Sequence, residues 1–213
     1  MTTKQKIKAI KSAIENAKNH KSKMDETAWS VPALSSLKIR HLMNNLGAIS
    51  TNYLECGVHR GGLFCSTIRN NKLDTATAID SFASDALTGE GIEDEFDKNH
   101  LLCVDGTDTV VFTKVADTFT VMPSDIPTVD LYLYDAAHDY ESQRKAMTHF
   151  LPAMADEFIV CVDDHDWQDV WLGTHDGLKD ANVEILFEEA FKGGDHDNET
   201  WWNGFYIALL KKK

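Results

Sequence analysis

The sequence predicts an α/β protein with a doubly wound, mostly parallel sheet. Three observations support this. From residue 51 onward, short apolar runs alternate with stretches of helical period, as in successive β-α units. The runs are rich in Val, Ile, Tyr and Phe and nearly continuous in apolar character, as strands covered on both faces read. Several end in glycine or acidic residues, at the carboxyl ends where an open α/β sheet has its ligand crevice.

The elements follow in order. Ile7, Ile10, Ile14 and Ala17 recur at helical spacing with lysines between them, so the chain begins with a helix. Residues 25–27 break the pattern. A second helix is expected over 31–46, with Ile39, Leu42, Met43 and Leu46 on one face and Gly47 as its stop. Strands are expected at 52–56, 75–79, 110–115, 129–134 and 158–162, and helices at 61–71, 93–102, 140–150 and 167–180. The runs 183–187 and 205–210 have only a polar loop between them, so they pair antiparallel. The length of 213 residues suits one domain: N-terminal helices over 1–48 and a core over 50–212.

Composition excludes several classes. Charged residues at 26% and hydrophobic ones at 43% are ordinary for a globular chain. The net charge of −13 repels phosphate backbones and anionic lipid, so neither nucleic acid nor a membrane surface is an expected partner. No apolar run approaches the roughly 20 residues that span a bilayer, and residues 1–6 lack the apolar stretch of a signal peptide. Cys56, Cys65, Cys103 and Cys161 form no CxxC pair, and Cys56 and Cys161 fall inside strands as small buried hydrophobes. A reduced, cytoplasmic protein is expected.

Four segments carry chemistry. In Tyr53-Leu-Glu-Cys-Gly-Val-His-Arg-Gly-Gly62 a strand runs through a glycine turn into a helix, letting backbone pass close to a ligand. Its spacing, Gly57-x-x-x-Gly61-Gly62, is not the GxGxxG of dinucleotide sites. Asp80 closes the second strand, placed to accept hydrogen bonds from both hydroxyls of a ribose; the plainer reading is a strand-end turn residue. Asp135-Ala-Ala-His138-Asp-Tyr-Glu141 and Asp163-Asp164-His165-Asp166 follow the fourth and fifth strands. Asp135, Asp163 and Asp164 supply hard oxygen for one Mg²⁺, whereas Asp139 and Asp166 are natural N-caps. His138, with an ordinary pKa of about 6.5, is a candidate base, or else merely orients Asp135.

These segments resemble those of class I S-adenosylmethionine-dependent methyltransferases, and more narrowly the branch that includes macrocin-type O-methyltransferases. Leu54–Gly62, Ile79-Asp80, Asp135–Glu141 and Asp163-Asp164 match that branch in chain order, over residues 50–212. The resemblance implies a Rossmann-like seven-stranded sheet of order 3-2-1-4-5-7-6 with the last pair antiparallel. It implies that Glu55, Gly57 and Gly61, with Val58 and Gly62 in the same turn, hold the methionine part of S-adenosylmethionine. Asp80 binds the ribose, with Ser81 and Phe82 beside the adenine and Asp117 reaching its amino group. Asp135 borders the cofactor and, with Asp163 and Asp164, binds Mg²⁺ in the members that use a metal.

Ala137 departs from the pattern, since some metal-dependent members carry an acid there that acts as base. His138 with Asp135, or His165, takes that place. The implied reaction is methyl transfer, of O-methyl type, to a small-molecule acceptor, because the chain has no room for a separate recognition domain. Trp201-Trp202 suits a substrate wall, a homodimer contact or ordinary core. The rival classes are a metal-dependent hydrolase using the Asp/His strand ends and a non-catalytic domain that binds S-adenosylmethionine.

Overall fold

The computed structural model describes residues 1–83 and 90–213. Its helices are α1 (Thr3–Lys18), α2 (Glu26–Ser30), α3 (Leu37–Gly47), α4 (Gly62–Ile68), α5 (Ile92–Val104), α6 (Tyr140–His149) and α7 (Gln168–Asp180). Its strands are β1 (Asn52–Cys56), β2 (Thr75–Asp80), β3 (Val110–Val115), β4 (Val129–Tyr134), β5 (Met154–Asp163), β6 (Glu184–Phe191) and β7 (Phe205–Lys211). They form one sheet of order β3-β2-β1-β4-β5-β7-β6. The first five strands run parallel, and β7 is antiparallel to both β5 and β6. The predicted order and the antiparallel final pair are both found.

Period-two alternation divides the sheet between two cores. Tyr53, Leu131, Leu133, Ile159, Cys161, Ile207 and Leu209 face the layer that holds α1, α3, α4 and α5. Leu54, Tyr132, Tyr134, Val160, Val162, Tyr206 and Ala208 face α6 and α7. Both faces of β7 and of the apolar stretches of β4 and β5 are therefore covered. The expectation of two covered faces fails at the edges. β3 leaves Val110, Phe112 and Val115 exposed, and β6 leaves Ile185 exposed, because an outermost strand has no neighbour on one side. Lys114 on β3 and Glu188 and Glu189 on β6 keep those edges from pairing with other chains.

The expected helix over 31–46 is corrected. A short α2 ends at Ser30, residues 31–36 are not helical, and α3 starts at Leu37. Pro32 has no N–H to continue a helix and holds the preceding residue extended. Ser36 then caps α3, its Oγ accepting from the Ile39 N–H at 3.3 Å. The break creates the segment Pro32-Ala33-Leu34, which lies against the site described below. Among the described residues no helix is long and apolar enough to cross a membrane.

Candidate functional site

The chain leaves β1 toward β2 and β3 on one side and toward β4 and β5 on the other. The carboxyl ends of β1 and β4 thus diverge at a switch point, where open sheets form a crevice. A cavity of about 840 Å³ lies there, within the size range of small-molecule sites. Glu55, Gly57 and Val58 line it from the end of β1, Asp80, Ser81 and Phe82 from β2, and Asp135 and His138 from β4. Asp163 and Asp164 reach it from β5. Pro32, Ala33 and Leu34 border it on one flank, and His196, Trp202 and Asn203 from the β6–β7 loop on another.

The glycine turn is shaped by close packing. Gly57 has φ +85°, and a Cβ there would lie 1.9 Å from the Asp135 carbonyl oxygen. Only glycine lets the end of β1 approach β4 so closely. Gly61, at φ +87°, opens α4 but is absent from the cavity wall. A Cβ on Gly62 would sit 2.3 Å from the Ala33 Cβ, so this residue admits the 32–34 segment. Asp80 fastens the turn: its Oδ2 accepts from the His59 N–H at 2.9 Å and its Oδ1 from the Phe82 N–H at 2.8 Å. An ionised carboxylate has about four acceptor positions, so two remain for a ligand.

A second cluster sits beyond it. His138 Nε2 lies 2.8 Å from Asp164 Oδ2 and 3.8 Å from Asp135 Oδ1, ion-pair contacts without hydrogen-bond direction. The other oxygen of Asp164 accepts from Asn203 Nδ2 at 2.6 Å. Asn203 Oδ1 in turn meets His196 Nε2 at 2.7 Å, and the His196 ring stacks on Trp202 at 5.0 Å. Trp167 stands edge-on to His138 at 4.9 Å. Asp135, His138 and Asp164 each offer a ligand atom, all within 4.8 Å of one another.

A family profile described as a methyltransferase domain matches residues 54–165, from within β1 to the histidine that follows β5, more than half the chain. The chain belongs to that family. Its fold is that of class I S-adenosylmethionine-dependent methyltransferases. An O-methyltransferase of Bacillus cereus in complex with SAH is 13% identical at a TM-score of 0.55, over 96% of this chain and 91% of that one. TomG, an O-methyltransferase of Streptomyces achromogenes in complex with SAM, is 14% identical at 0.58, over 93% and 89%. The N-methyltransferase NodS of Bradyrhizobium japonicum is 15% identical at 0.53, over 82% and 92%. At such identities the likeness is one of fold. No curated protein matches the sequence.

Burial and charge set the electrostatics of this methyltransferase. Glu55 is 1% exposed and receives the Tyr53 hydroxyl on Oε2. Burial pushes its carboxyl well up despite that bond, and Asp135 and Asp80 push the same way. Burial likewise raises Asp135 to about 6, with His138 opposing and Asp164 adding to the rise. For His138, burial alone favours the neutral ring, but Asp135 and Asp164 outweigh it and raise the pKa to about 10. The expectation of a base poised near 6.5 is therefore corrected: beside two carboxylates the ring holds its proton at neutral pH.

Other expectations also change. Asp117 is exposed, absent from the cavity wall, and spends its Oδ1 on the Phe119 N–H at 2.9 Å; its neighbour Thr118 lines the cavity instead. Asp163 is 5% exposed and its Oδ1 accepts from the Asp164 N–H at 2.9 Å. It falls outside the ligand-atom trio, where His138 stands in its place. His165 points away from the cavity, stacked on Tyr206 at 4.8 Å. Trp167, not Asp166, is the N-cap of α7, because the Asp166 carboxylate accepts from the Gly193 N–H at 2.7 Å.

Sequence reasoning missed Asn203, His196 and the 32–34 segment. Trp202 lines the cavity, while Trp201 is core, stacked on Phe191 at 4.2 Å. One signal marks the site in the backbone. Of the seven non-glycine residues with positive φ among those described, His59, Phe82, Asp164 and Trp202 all line this cavity. Such conformations cost about 1 kcal/mol or more each and persist where the surroundings hold them.

Proposed function

We propose that this methyltransferase binds S-adenosylmethionine across the β1–β4 switch point and methylates a hydroxyl of a small-molecule acceptor. The observation that carries the reading is the convergence of Glu55, Gly57, Asp80 and Asp135 on one cavity. The two free acceptor positions of Asp80 suit a ribose diol, and the nearby wall of Ser81 and Phe82 suits the adenine. Glu55, Gly57 and Val58 face the methionine part, with Gly61 and Gly62 shaping the turn behind it. Once bound, the cofactor supplies a methyl group made electrophilic by its sulfonium.

The protein's own task is to align the acceptor oxygen and accept its proton. Asp164, fixed by Asn203, holds His138 beside the cavity. Beside the positive charge that the cofactor would bring, the imidazolium would release its proton more readily, and the neutral ring would then serve as the base. A second reading rests on the trio Asp135, His138 and Asp164. Its ligand atoms are close enough to share one divalent ion, and a set with one imidazole suits Mn²⁺, Fe²⁺ or Zn²⁺ better than Mg²⁺. Four buried free cysteines fit a reducing compartment such as the cytoplasm.

Calorimetry with S-adenosylhomocysteine tests the cofactor site. Micromolar binding is expected, weakened at least tenfold in Asp80→Ala, since hydrogen bonds to a charged partner contribute about 1.5–3 kcal/mol. No binding to the wild type sinks the reading. Against a pool of hydroxylated acceptors with radiolabelled S-adenosylmethionine, His138→Ala is expected to lose about 10²-fold in turnover and to keep its cofactor affinity. Chelation, then Mg²⁺ or Mn²⁺, separates the two readings: unchanged turnover dismisses the ion.

A further inference from the structure

We propose that the acceptor is a ring-bearing molecule without anionic groups, neutral or cationic, whose ring lies against Trp167 and Trp202. The inference rests on the cofactor reading above and adds the chemical class of the second substrate.

The sign of the cavity is the first observation. Glu55, Asp80, Asp135, Asp163 and Asp164 all face it, and among the described residues no Lys or Arg lines it. Residues 84–89 contain neither type. Burial holds Glu55 and Asp163 toward their neutral forms; Asp80, Asp135 and Asp164 remain, beside the imidazoles of His59, His138 and His196. A phosphate or carboxylate on the acceptor would enter this field with no Lys or Arg to receive it, and the His138 imidazolium is already paired with Asp135 and Asp164. Sites for such groups use Arg, Lys or an aligned set of backbone donors. Asp80 already occupies the His59 and Phe82 N–H groups.

The second observation is where the large apolar side chains are left in the open. Leu34 is 67% and Trp167 46% exposed, and both line this cavity. Trp167 meets His138 edge-on at 4.9 Å. A ring lying on the indole therefore carries its hydroxyl toward His138 and Asp164. Trp202 is held in place at a local backbone cost: its φ is +46°, its Nε1–H donates to the Asp197 carbonyl at 3.0 Å, and its ring stacks on His196. Neutral rings, and cations that sit over indole faces, are what these walls accept.

The test uses the full chain loaded with S-adenosylhomocysteine and three probes that share a para-substituted phenol frame and differ in charge. These are 4-ethylphenol, tyramine and 4-hydroxyphenylacetate, titrated by calorimetry. The neutral and cationic probes are expected to bind, with the anion at least tenfold weaker. Trp167→Ala and Trp202→Ala should each weaken 4-ethylphenol by up to about tenfold, with S-adenosylhomocysteine affinity reporting that the variant is folded. Leu34→Lys, at an exposed position of the cavity wall, should narrow the ratio between 4-ethylphenol and the anion by up to about fivefold. An anion that binds as well as 4-ethylphenol overturns the proposal, and so does a loaded protein that binds none of the three. If S-adenosylhomocysteine itself fails to bind, the cofactor reading fails at that first step. The same order of charge is then expected in the free protein, and its absence there overturns the acceptor proposal as well.

Discussion

Asp164 divides its two oxygens between different partners: one faces His138 and the other takes the Asn203 amide. Its φ of +54° turns the carboxylate back over β4. Replacing it with Asn keeps the shape and removes the charge. The imidazole of His138, raised to about 10, should then move down toward its ordinary value near 6.5, stopping short of it because Asp135 remains. Carbon-detected NMR titration of the histidines would show this, and an unmoved His138 would mean that Asp164 does not set its charge. The sign matters for turnover. A base with a raised pKa is lost on the acid side, so methyl transfer should climb with pH through the neutral range, and His138→Ala should flatten that climb. At this scale the sequence was legible where a residue follows directly on a strand. Glu55, Asp80, Asp135 and His138 were found that way. Asn203 and His196 were not, because they reach the site from a loop whose fold depends on Asp166 binding the Gly193 N–H and Asn203 binding Asp164. Neither contact leaves a pattern in the chain.

Between α2 and α3, the segment Pro32-Ala33-Leu34 is held down by the missing side chain of Gly62. Gly62→Ala would place a methyl 2.3 Å from the Ala33 Cβ, 2.5 Å from its Cα and 2.7 Å from the Pro32 carbonyl. The segment must lift, at a cost of about 1–3 kcal/mol as for other overpacked sites. Adding Ala33→Gly should recover only part of that, since the Cα and carbonyl contacts remain; thermal melts of the single and double variants measure it. Full recovery would show that the Cβ contact alone matters. The elements themselves were largely readable. Residues 52–56, 110–115 and 129–134 coincide with β1, β3 and β4, because continuous apolar runs between polar turns leave little choice of boundary. The 31–46 expectation failed over its first six residues, because Pro32 cannot continue α2 and the cap that opens α3 is Ser36. The exposed face of β3 was also hidden. Position within a sheet is decided by pairing between distant segments, and Val110 and Phe112 look like buried residues in the chain.

Across the whole molecule, buried histidines and buried carboxyls pull stability in opposite directions as the pH falls. Burial lowers His41 to about 4, with His20 and Arg40 adding to it. Burial, then His175, lowers His165 to about 4. Both folded values lie below the ordinary 6.5, so the stability they contribute is present above pH 6.5 and is lost as pH falls toward 4. Asp25, held near 2 chiefly by Arg69, adds a further, solvent-screened loss between about pH 4 and 2. The raised carboxyls of Glu55, Asp135 and Asp163 act in the opposite sense over the same range, so the contribution of one ring is read as a difference: between pH 7 and 5, His165→Phe, which keeps the stacking on Tyr206, should lose less melting temperature than the parent chain. Equal pH dependence of the two melting curves would show that His165 carries none of the loss. The sheet order has a consequence for synthesis. β7 is last in the chain yet lies between β5 and β6, with Phe205 to Leu210 all buried. As the polypeptide leaves the ribosome, the long edge of β5 waits with its N–H and C=O groups unpaired until residue 211 emerges, and β6 has no sheet to join. A stalled or truncated nascent chain would therefore display Ile159 to Val162 as a ready template for other strands, the state in which a chaperone would find it.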